Sequence, residues 1–541
     1  MRRFRPASAA VAAIAISALI GGVFGRSALA TEDRVSEQYK LFTAALSAIE
    51  ANYVGQVESD RLVYSGITGM LQTLDPHSNF MDPKSYAQMR ERQEGRYYGL
   101  GVSIAVADGD ITVVQLFEGS PAHQKGLRRG DVIAKIEGES TKGWTTEQAV
   151  KKLKGPKGTT VAIDLRRGGF EALIPLSVMR DEIHIVTVRA AFMVDGSTGY
   201  IQLSEFAENS NQELGKALAD LSTKGMKRLV FDLRGNPGGQ LDQAIKIANR
   251  FLPKGDLIVY TRGRVSNSDQ DYRATEQSDY THVPLVVLAN RNSASASEIV
   301  SGALQDHDRA LIVGETTFGK ALVQSVYRIN QGAGLAVTTA RYYTPSGRLI
   351  QRPWDGTFDE YLMYSQKDQD PNKAHNPDDM KLTDGGRKVY SGGGVEPDRR
   401  LDGPVDGFSP GRFAKLLYNR QLFDVFAQRF SRKGDPRVPS APGKDRREVS
   451  QGFAVDAAMV QEFRDMLAKM KVTVDEAGWQ KDEVFIKAMI RYEIDFDLFG
   501  GAEARRRLSE ADPQVQLALT LFPEAEKLSQ LGKVTTGKAQ R

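Results

Sequence analysis

The sequence predicts a multidomain chain of α/β plus α+β type. A helical N-terminal segment comes first, then a small domain of short strands and glycine turns, an α/β core and a helical C-terminal extension. Three observations predict it. The chain has 541 residues, too many for one hydrophobic core and enough for about three or four domains. Its texture changes along its length, from helical apolar spacing to glycine-punctuated strands, then to apolar strands alternating with helical patterns, and back to helical spacing. Within the third region, R-L-V-F-D-L (228–233) and V-P-L-V-V-L-A-N (283–290) are nearly continuous apolar runs, as strands buried on both faces of a sheet require.

Composition excludes several function classes. Apolar residues make up 41% and charged residues 26%, ordinary for a globular protein. A net charge of +4, from 72 basic and 68 acidic residues, leaves no strong nucleic-acid footprint. The absence of cysteine removes disulfides, thiolate metal sites and cysteine nucleophiles. The six histidines follow no ligand spacing such as H-E-x-x-H, so neither a metal nor a cofactor is expected. Residues 1–30 read as a signal peptide: Arg2, Arg3 and Arg5 precede an apolar run from Val11 to Phe24, and Ala28-Leu29-Ala30 is a small-x-small cleavage site. The run falls short of the roughly 18 apolar residues that span a membrane comfortably. Cleavage and release into the periplasm or cell envelope are therefore expected, an uncleaved inner-membrane anchor being the alternative.

Residues 31–95 read as a helical segment. Tyr39, Phe42, Leu46, Ile49 and Tyr53 lie on one helical stripe, and Leu62, Ile67, Met70, Leu71 and Leu74 on a second, with Asp60 as N-cap. Pro76 ends that helix. The turn holds His77, which invites a catalytic reading, but the adjacent Asp75 and Ser78 favour a locally capped turn. Residues 96–180 carry Gly99-Leu100-Gly101-Val102, Gly119-Ser120-Pro121-Ala122, Gly126-Leu127 and Gly130-Asp131-Val132-Ile133 in order, with a helix from Glu147 to Leu153. A G-L-G turn alone is an ordinary hairpin signal; the ordered set is more specific.

Residues 181–400 read as the core. Its strand 228–233 runs into Arg234-Gly235-Asn236-Pro237-Gly238-Gly239 and then a helix. The turn lacks the G-K-[ST] of a P-loop and the G-x-G-x-x-G of a dinucleotide site, which leaves a nest of N–H groups for an oxyanion. The apolar run at 283–290 leads to Ser293, Ser295 and Ser297 and into a helical pattern. A further strand, Ala310 to Val313, precedes Thr317-Phe318-Gly319-Lys320. A serine at the mouth of a helix and a lysine one crossover later suit a Ser–Lys hydrolase. Gln351 to Lys388 is polar and reads as a surface insertion. Residues 401–541 read as helical, with Phe413, Leu416, Leu417, Phe426, Met459, Phe463, Met466, Ile486, Met489 and Ile490 as core positions and no evident chemistry.

With G-L-G, D-L-R-G-N-P-G-G, S-A-S-A-S-E and T-F-G-K in this order, the chain resembles the carboxyl-terminal processing peptidases, or tail-specific serine proteases, and its residues 96–180 resemble a PDZ domain. The resemblance implies Ser295 as nucleophile, Lys320 as general base and Gln324 as its orienter. It places the oxyanion donors at the N–H groups of Ala296 and of Gly238, with Gly239 next. It implies that Gly99, Leu100, Gly101 and Val102 receive a C-terminal carboxylate, with the ligand added as a strand beside Val102 to Ala105. Lys154 stands near the end of the PDZ helix, where family members carry an arginine that couples ligand to active site. Protein substrates with exposed C-termini are the partners implied; an adaptor or a homo-oligomer stays open.

The chemistry is consistent. A charged lysine cannot take a serine proton, but burial lowers its pKa, and Phe318, Ala321, Leu322 and Val323 offer Lys320 an apolar setting. On spacing alone Ser295-Ala296-Ser297-Glu298 is also a capping box; the resemblance favours catalysis. Gln324, four residues from Lys320, would lie roughly 13 Å away in a straight strand, so a contact requires a bend or bulge. The alternative to a protease is a tail-binding PDZ scaffold that keeps the fold without the activity.

Overall fold

The structure is a computed structural model that describes residues 35–167, 170–354, 360–361, 363, 375–402, 410–432 and 447–528. The signal-peptide reading therefore lies outside the described residues, and so does half of the polar insertion after Trp354. Among the described residues no helix is long and apolar enough to cross a membrane, and no cluster of three or more His, Asp or Glu side chains is placed to hold a metal.

The core is a six-stranded sheet in the spatial order Val188–Met193, Thr198–Leu203, Arg228–Asp232, Leu285–Ala289, Leu311–Gly314, Arg399–Arg400. The first pair is antiparallel and the rest are parallel. Parallel neighbours need crossovers, and the helices Ser210–Thr223, Leu241–Asn249 and Ala296–Asp306 lie between successive strands. In an open sheet of this kind, ligands bind beyond the carboxyl ends of the strands. Three loops leave those ends side by side: the glycine turn after Asp232, the serine turn after Ala289, and the Thr317–Lys320 loop after Gly314.

The continuous apolar strands are buried on both faces, as their sequence requires. One face carries Leu229, Phe231, Leu285 and Val287 against the crossover helices. The other carries Tyr200, Val230, Val286 and Val313 against Val515, Ala518, Phe522, Ala525 and Leu528. The second cover thus comes from the end of the C-terminal extension. The rest of the extension has its own core, which includes Phe413, Leu417, Phe426, Met459, Phe463, Met466, Ile486, Met489 and Ile490; Leu416, expected among them, is exposed.

A second sheet joins Gly334–Tyr343 to Leu322–Arg328, to Leu257–Gly263 and to the short strand Asn79–Met81, which stitches the N-terminal segment to the core. The segment's second helix spans Ser59–Gln72 with Glu58 at its N-cap, so Asp60 lies in the first turn instead of capping it. The first helix, residues 35–52, leaves Tyr39, Leu41 and Phe42 exposed.

In the glycine-rich domain Val102–Ala107 is the edge strand of a sheet continued by Asp110–Leu116, Val132–Ile136, Thr160–Arg166 and Ile174–Met179, and Thr146–Leu153 is its helix. This domain touches the C-terminal extension through Arg129, whose guanidinium meets Asp424 at 2.9 Å, Glu493, and Asp497 at 3.7 Å. The Arg129, Asp424 and Glu493 side chains are only 19%, 7% and 9% exposed. Burial pushes Asp424 up to about 6. Removing one partner of a buried ion cluster leaves uncompensated charge behind. Arg129→Ala is therefore expected to cost about 3–5 kcal/mol in urea denaturation at neutral pH, with less loss at pH 5, where Asp424 takes up a proton.

Candidate active site

The serine turn places three serines differently. The Ser293 hydroxyl donates to the Leu233 carbonyl (2.8 Å) and the Ser297 hydroxyl to the Asn236 carbonyl (2.9 Å). Both therefore bind the serine turn to the backbone of the glycine turn. Ser295 sits at the entry of the helix Ala296–Asp306 with φ 55° and ψ −113°. A helix-capping residue ordinarily holds the extended region, and a side chain at positive φ is strained. The Ser295 carbonyl accepts from the Glu298 and Ile299 N–H groups (2.8 and 3.0 Å), which starts the helix.

Glu298, fully buried, reaches further than its own helix. One carboxylate oxygen accepts from the N–H groups of Ser295 (2.8 Å) and Lys320 (2.9 Å). The other accepts from the Gly319 N–H (2.7 Å) and the Thr317 hydroxyl. Burial raises its pKa to about 7 against the pull of these four donors. Tyr342, also buried, puts its single hydroxyl proton within reach of the Ser295 carbonyl (3.0 Å) and the Lys320 carbonyl. The Phe318 N–H donates to the Ser293 carbonyl (2.9 Å). The serine turn and the lysine loop are thus one hydrogen-bonded unit.

Burial drives the Lys320 ammonium down from its ordinary value, while the carboxylates of Glu298 and Asp75 pull the other way. His77 comes close enough to feel the Lys320 charge; burial first, then that charge, pushes the imidazole down to about 3. Its Nε2 pairs with the Tyr361 hydroxyl (2.9 Å). The local reading of its turn also holds, since Asp75 accepts from the N–H groups of His77 and Ser78 (both 2.8 Å). Tyr361 belongs to the stretch read as a surface insertion, yet it is 5% exposed. Its ring lies edge-on to Phe318, and the Arg352 guanidinium sits over both rings at 4.2 and 4.3 Å.

Of the residues expected to donate to an oxyanion, Ala296 follows the serine and Gly238 lies against it, whereas Gly239 packs against the Phe206 backbone. A Cβ added at Gly238 would lie 2.7 Å from the Ser295 Cβ and 2.8 Å from the Ala296 nitrogen, and φ there is +97°. Only glycine fits so close an approach. The Gly238 N–H donates to the Asn236 side-chain oxygen (2.9 Å), however, so in this structure it is engaged. Gln324 lies beyond a register shift between Val323 and Gln324, and its amide donates to the Thr338 hydroxyl (3.2 Å). Among the described residues no hydrogen bond joins it to Lys320. It connects instead through Thr338 to Ser78, whose hydroxyl donates to Asp75 (2.7 Å).

In the glycine-rich domain, Gly101 has φ +80° and packs so close to Ser120 that no side chain fits. Leu100 is buried, Gly99 pairs with Asp181, and Val102 opens the edge strand. Lys154 pairs with Glu91 of the N-terminal segment and lies 4.8 Å above the Tyr97 ring. The structure brings together Ser295, Ala296, Gly238 and the Lys320 loop. Lys154 lies beside Gly99, where an added Cβ would be 3.7 Å from the Lys154 Cγ.

A peptide-recognition domain with an open edge strand, joined to an α/β core with a serine turn, defines the class of PDZ-containing serine peptidases. Peptidase family S41 matches residues 197–357, the PDZ domain residues 88–166, and the N-terminal domain of the activating protease CtpB residues 25–85. The carboxy-terminal-processing protease of Bartonella bacilliformis is 39% identical over 324 residues, covering 59% of this chain and 74% of that protein. The carboxy-terminal processing protease CtpA of Bacillus subtilis is 35% identical over 347 residues, covering 63% and 73%. The solved photosystem II D1 C-terminal processing protease is 29% identical, covers 68% of this chain and 93% of its own, and superposes with a TM-score of 0.34. The chain belongs to the carboxy-terminal processing proteases of peptidase family S41. It is a serine-type hydrolase of peptide bonds.

The contact at Gly238 yields a direct expectation. Gly238→Ala must displace the serine turn or the glycine turn, so peptidase activity should fall by about 100-fold while the PDZ domain still binds a tail peptide by fluorescence anisotropy.

Proposed function

We propose that the protease works through a Ser295–Lys320 dyad and an acyl-enzyme, and that the PDZ domain delivers the C-terminal tail of the substrate. The observation that carries the reading is the shared Glu298 carboxylate, which bonds both the Ser295 and the Lys320 backbone N–H groups. The different fates of the three serines support it, because only Ser295 stands in a strained conformation at a helix mouth. Neutral Lys320 takes the Ser295 proton as Oγ attacks the scissile carbonyl. The tetrahedral oxyanion is met by the Ala296 N–H and by a glycine N–H. Gly239 serves directly, or Gly238 after it releases Asn236. Collapse breaks the C–N bond, the lysine proton passes to the leaving amine, and water hydrolyses the ester with Lys320 again as base. Each oxyanion donor contributes roughly 10²–10³ in rate. Gln324 is a positioning residue that acts through Thr338 and Ser78.

In this reading Gly99 to Val102 hold the tail carboxylate, and Val102–Ala107 pairs with the tail as an added strand. Lys154, paired with Glu91, acts on the junction of the PDZ domain with the N-terminal segment. The working units are residues 31–95, 96–180, 181–400 and 401–541, after an export signal at 1–30 that sends the protein to the periplasm or cell envelope. The exposed apolar side chains of helix 35–52 support association between copies or with an adaptor.

Residues 31–541, offered an unstructured protein with an apolar C-terminus, should cleave it. Ser295→Ala and Lys320→Ala should each lose at least about 10³-fold in kcat. Cleavage that survives in Ser295→Ala contradicts the reading, and tight tail binding without cleavage by the parent favours a scaffold. The folded-state pKa of Lys320 lies below its unfolded value of about 10.4, and the deprotonated form is active. The profile of kcat/KM should therefore rise with pH and level off below that value.

A further inference from the structure

The C-terminal extension reaches the active-site turn as well as the back of the sheet. Arg234 opens the Arg234–Gly239 turn, one residue beyond Leu233, whose carbonyl receives the Ser293 hydroxyl. Its guanidinium grips Asp232 on one side, through Nε at 3.0 and 3.1 Å and a terminal nitrogen at 2.6 Å. Asp232 is fully buried and also receives the Tyr200 hydroxyl at 2.5 Å. On the other side Arg234 meets two residues some 280 positions away. One terminal nitrogen donates to the Gln514 side-chain oxygen (2.8 Å) and to Asp512 (3.1 Å), and the other lies 2.8 Å from Asp512.

Charge explains the arrangement. One guanidinium stands between two carboxylates, and the Asp232, Asp512 and Arg234 side chains are 0%, 11% and 14% exposed. The carboxylates of Asp232 and Asp512 raise the Arg234 pKa despite burial, so it stays charged. A planar guanidinium held on both edges cannot swing. Asp512 is itself fixed, because it caps the helix Pro513–Thr520 by accepting from the Gln514 and Val515 N–H groups. Gln514 is fixed by donating to the Leu401 carbonyl (2.7 Å). That helix is anchored in turn by Val515 and Ala518 on the sheet face.

The turn is held from two further sides: the Asn236 amide donates to the Leu203 carbonyl (2.9 Å) and the Gly238 carbonyl accepts from the Phe206 N–H (2.9 Å), and the serine turn holds it as well. The Gly235 N–H donates to the Asn290 side chain (2.9 Å), and the Asn236 carbonyl accepts from the Ala294 N–H (3.0 Å) and the Ser297 hydroxyl (2.9 Å). Arg234 is the point at which the C-terminal extension holds the turn.

We propose that the C-terminal extension is a working part of the catalytic unit, in which Asp512 and Gln514 are positioning residues that fix Arg234 and thereby the glycine turn carrying the oxyanion donors. The proposal rests on the Ser295 and oxyanion reading above. It predicts that loosening these two residues lowers the rate of acylation without weakening the capture of tails, because the turn serves the transition state and the PDZ domain serves the substrate.

Three variants of residues 31–541 test it. Asp512→Ser keeps a good helix cap but is too short to hold Arg234; Gln514→Leu removes the second acceptor; Asp512→Asn keeps both cap and acceptor. Active sites are counted by end-point labelling with a fluorophosphonate, so that unfolded protein does not count. Per active site, the Asp512→Ser, Gln514→Leu double variant should lose about 10- to 100-fold in kcat, with KM within about twofold and a matching fall in the rate of fluorophosphonate labelling. Asp512→Asn should stay within about threefold of the parent. A double variant with parental kcat per active site, or one whose loss lies wholly in KM, overturns the inference. Ser295→Ala runs beside them: activity surviving there overturns the site reading instead, so the two failures are distinguishable.

Discussion

The buried carboxylate of Glu298 is the interaction on which the site depends. Four donors from two loops converge on it: Ser295, Gly319 and Lys320 through their N–H groups and Thr317 through its hydroxyl. A hydrogen bond to a charged group contributes about 1.5–3 kcal/mol, and a buried donor left without its acceptor costs about 1–3 kcal/mol. Loss of this one side chain would therefore orphan both loops at once. The arrangement also has a cost, since burial lifts Glu298 to about 7. Its folded-state pKa lies above the ordinary 4.5, so between those values the native state holds the proton more tightly than the unfolded chain does. Stability from this group is gained as pH falls through that window and lost as pH rises through it. Native structure keeps so unfavourable a burial where a site requires it.

The layers around that carboxylate follow from the sheet. Parallel strands deliver three loops to one edge, and each loop brings one element: a glycine turn, a strained serine and a half-buried lysine. Parallel strands must be covered on both faces. The chain solves this with crossover helices on one face and the end of its own C-terminal extension on the other. The cover is not passive, because its first helical turn carries the acceptors that pin Arg234. Through Arg129 the same extension holds the PDZ domain. One appendage thus touches the PDZ domain and the turn beside the serine.

Local signals were legible in the sequence and distant ones were not. The apolar runs ending near Asp232, Ala289 and Val313 announced the strands, and the glycine and serine motifs marked the loops between them. The choice of Ser295 among three serines rested on resemblance, and the physical distinction emerges only in three dimensions, where Ser293 and Ser297 bond to the glycine turn. Glu298 was visible as half of a capping box, but its bonds to Thr317, Gly319 and Lys320 cross a whole crossover and leave no local pattern. His77 and Tyr361 were read as turn and surface because nothing in their neighbourhoods signals burial against a loop more than forty residues away in either direction. The pairing of Gln324 with Thr338 follows a register shift that alternation of residue types does not encode. Asp512 and Gln514 look like an ordinary helix start until Arg234 is placed beside them.

The central claim is that one buried carboxylate holds a nucleophilic serine and a neutral lysine in a single frame. Site-resolved labelling with a fluorophosphonate across pH, read by mass spectrometry in the parent and in Glu298→Ala, tests it most directly. The account predicts that the parent is labelled at Ser295, at a rate that rises with pH and levels off below the ordinary lysine value of about 10.4. It predicts a labelling rate lower by at least about 100-fold in Glu298→Ala, with the PDZ domain still binding tails. Labelling at another residue, or parental labelling of Ser295 without Glu298, would contradict it.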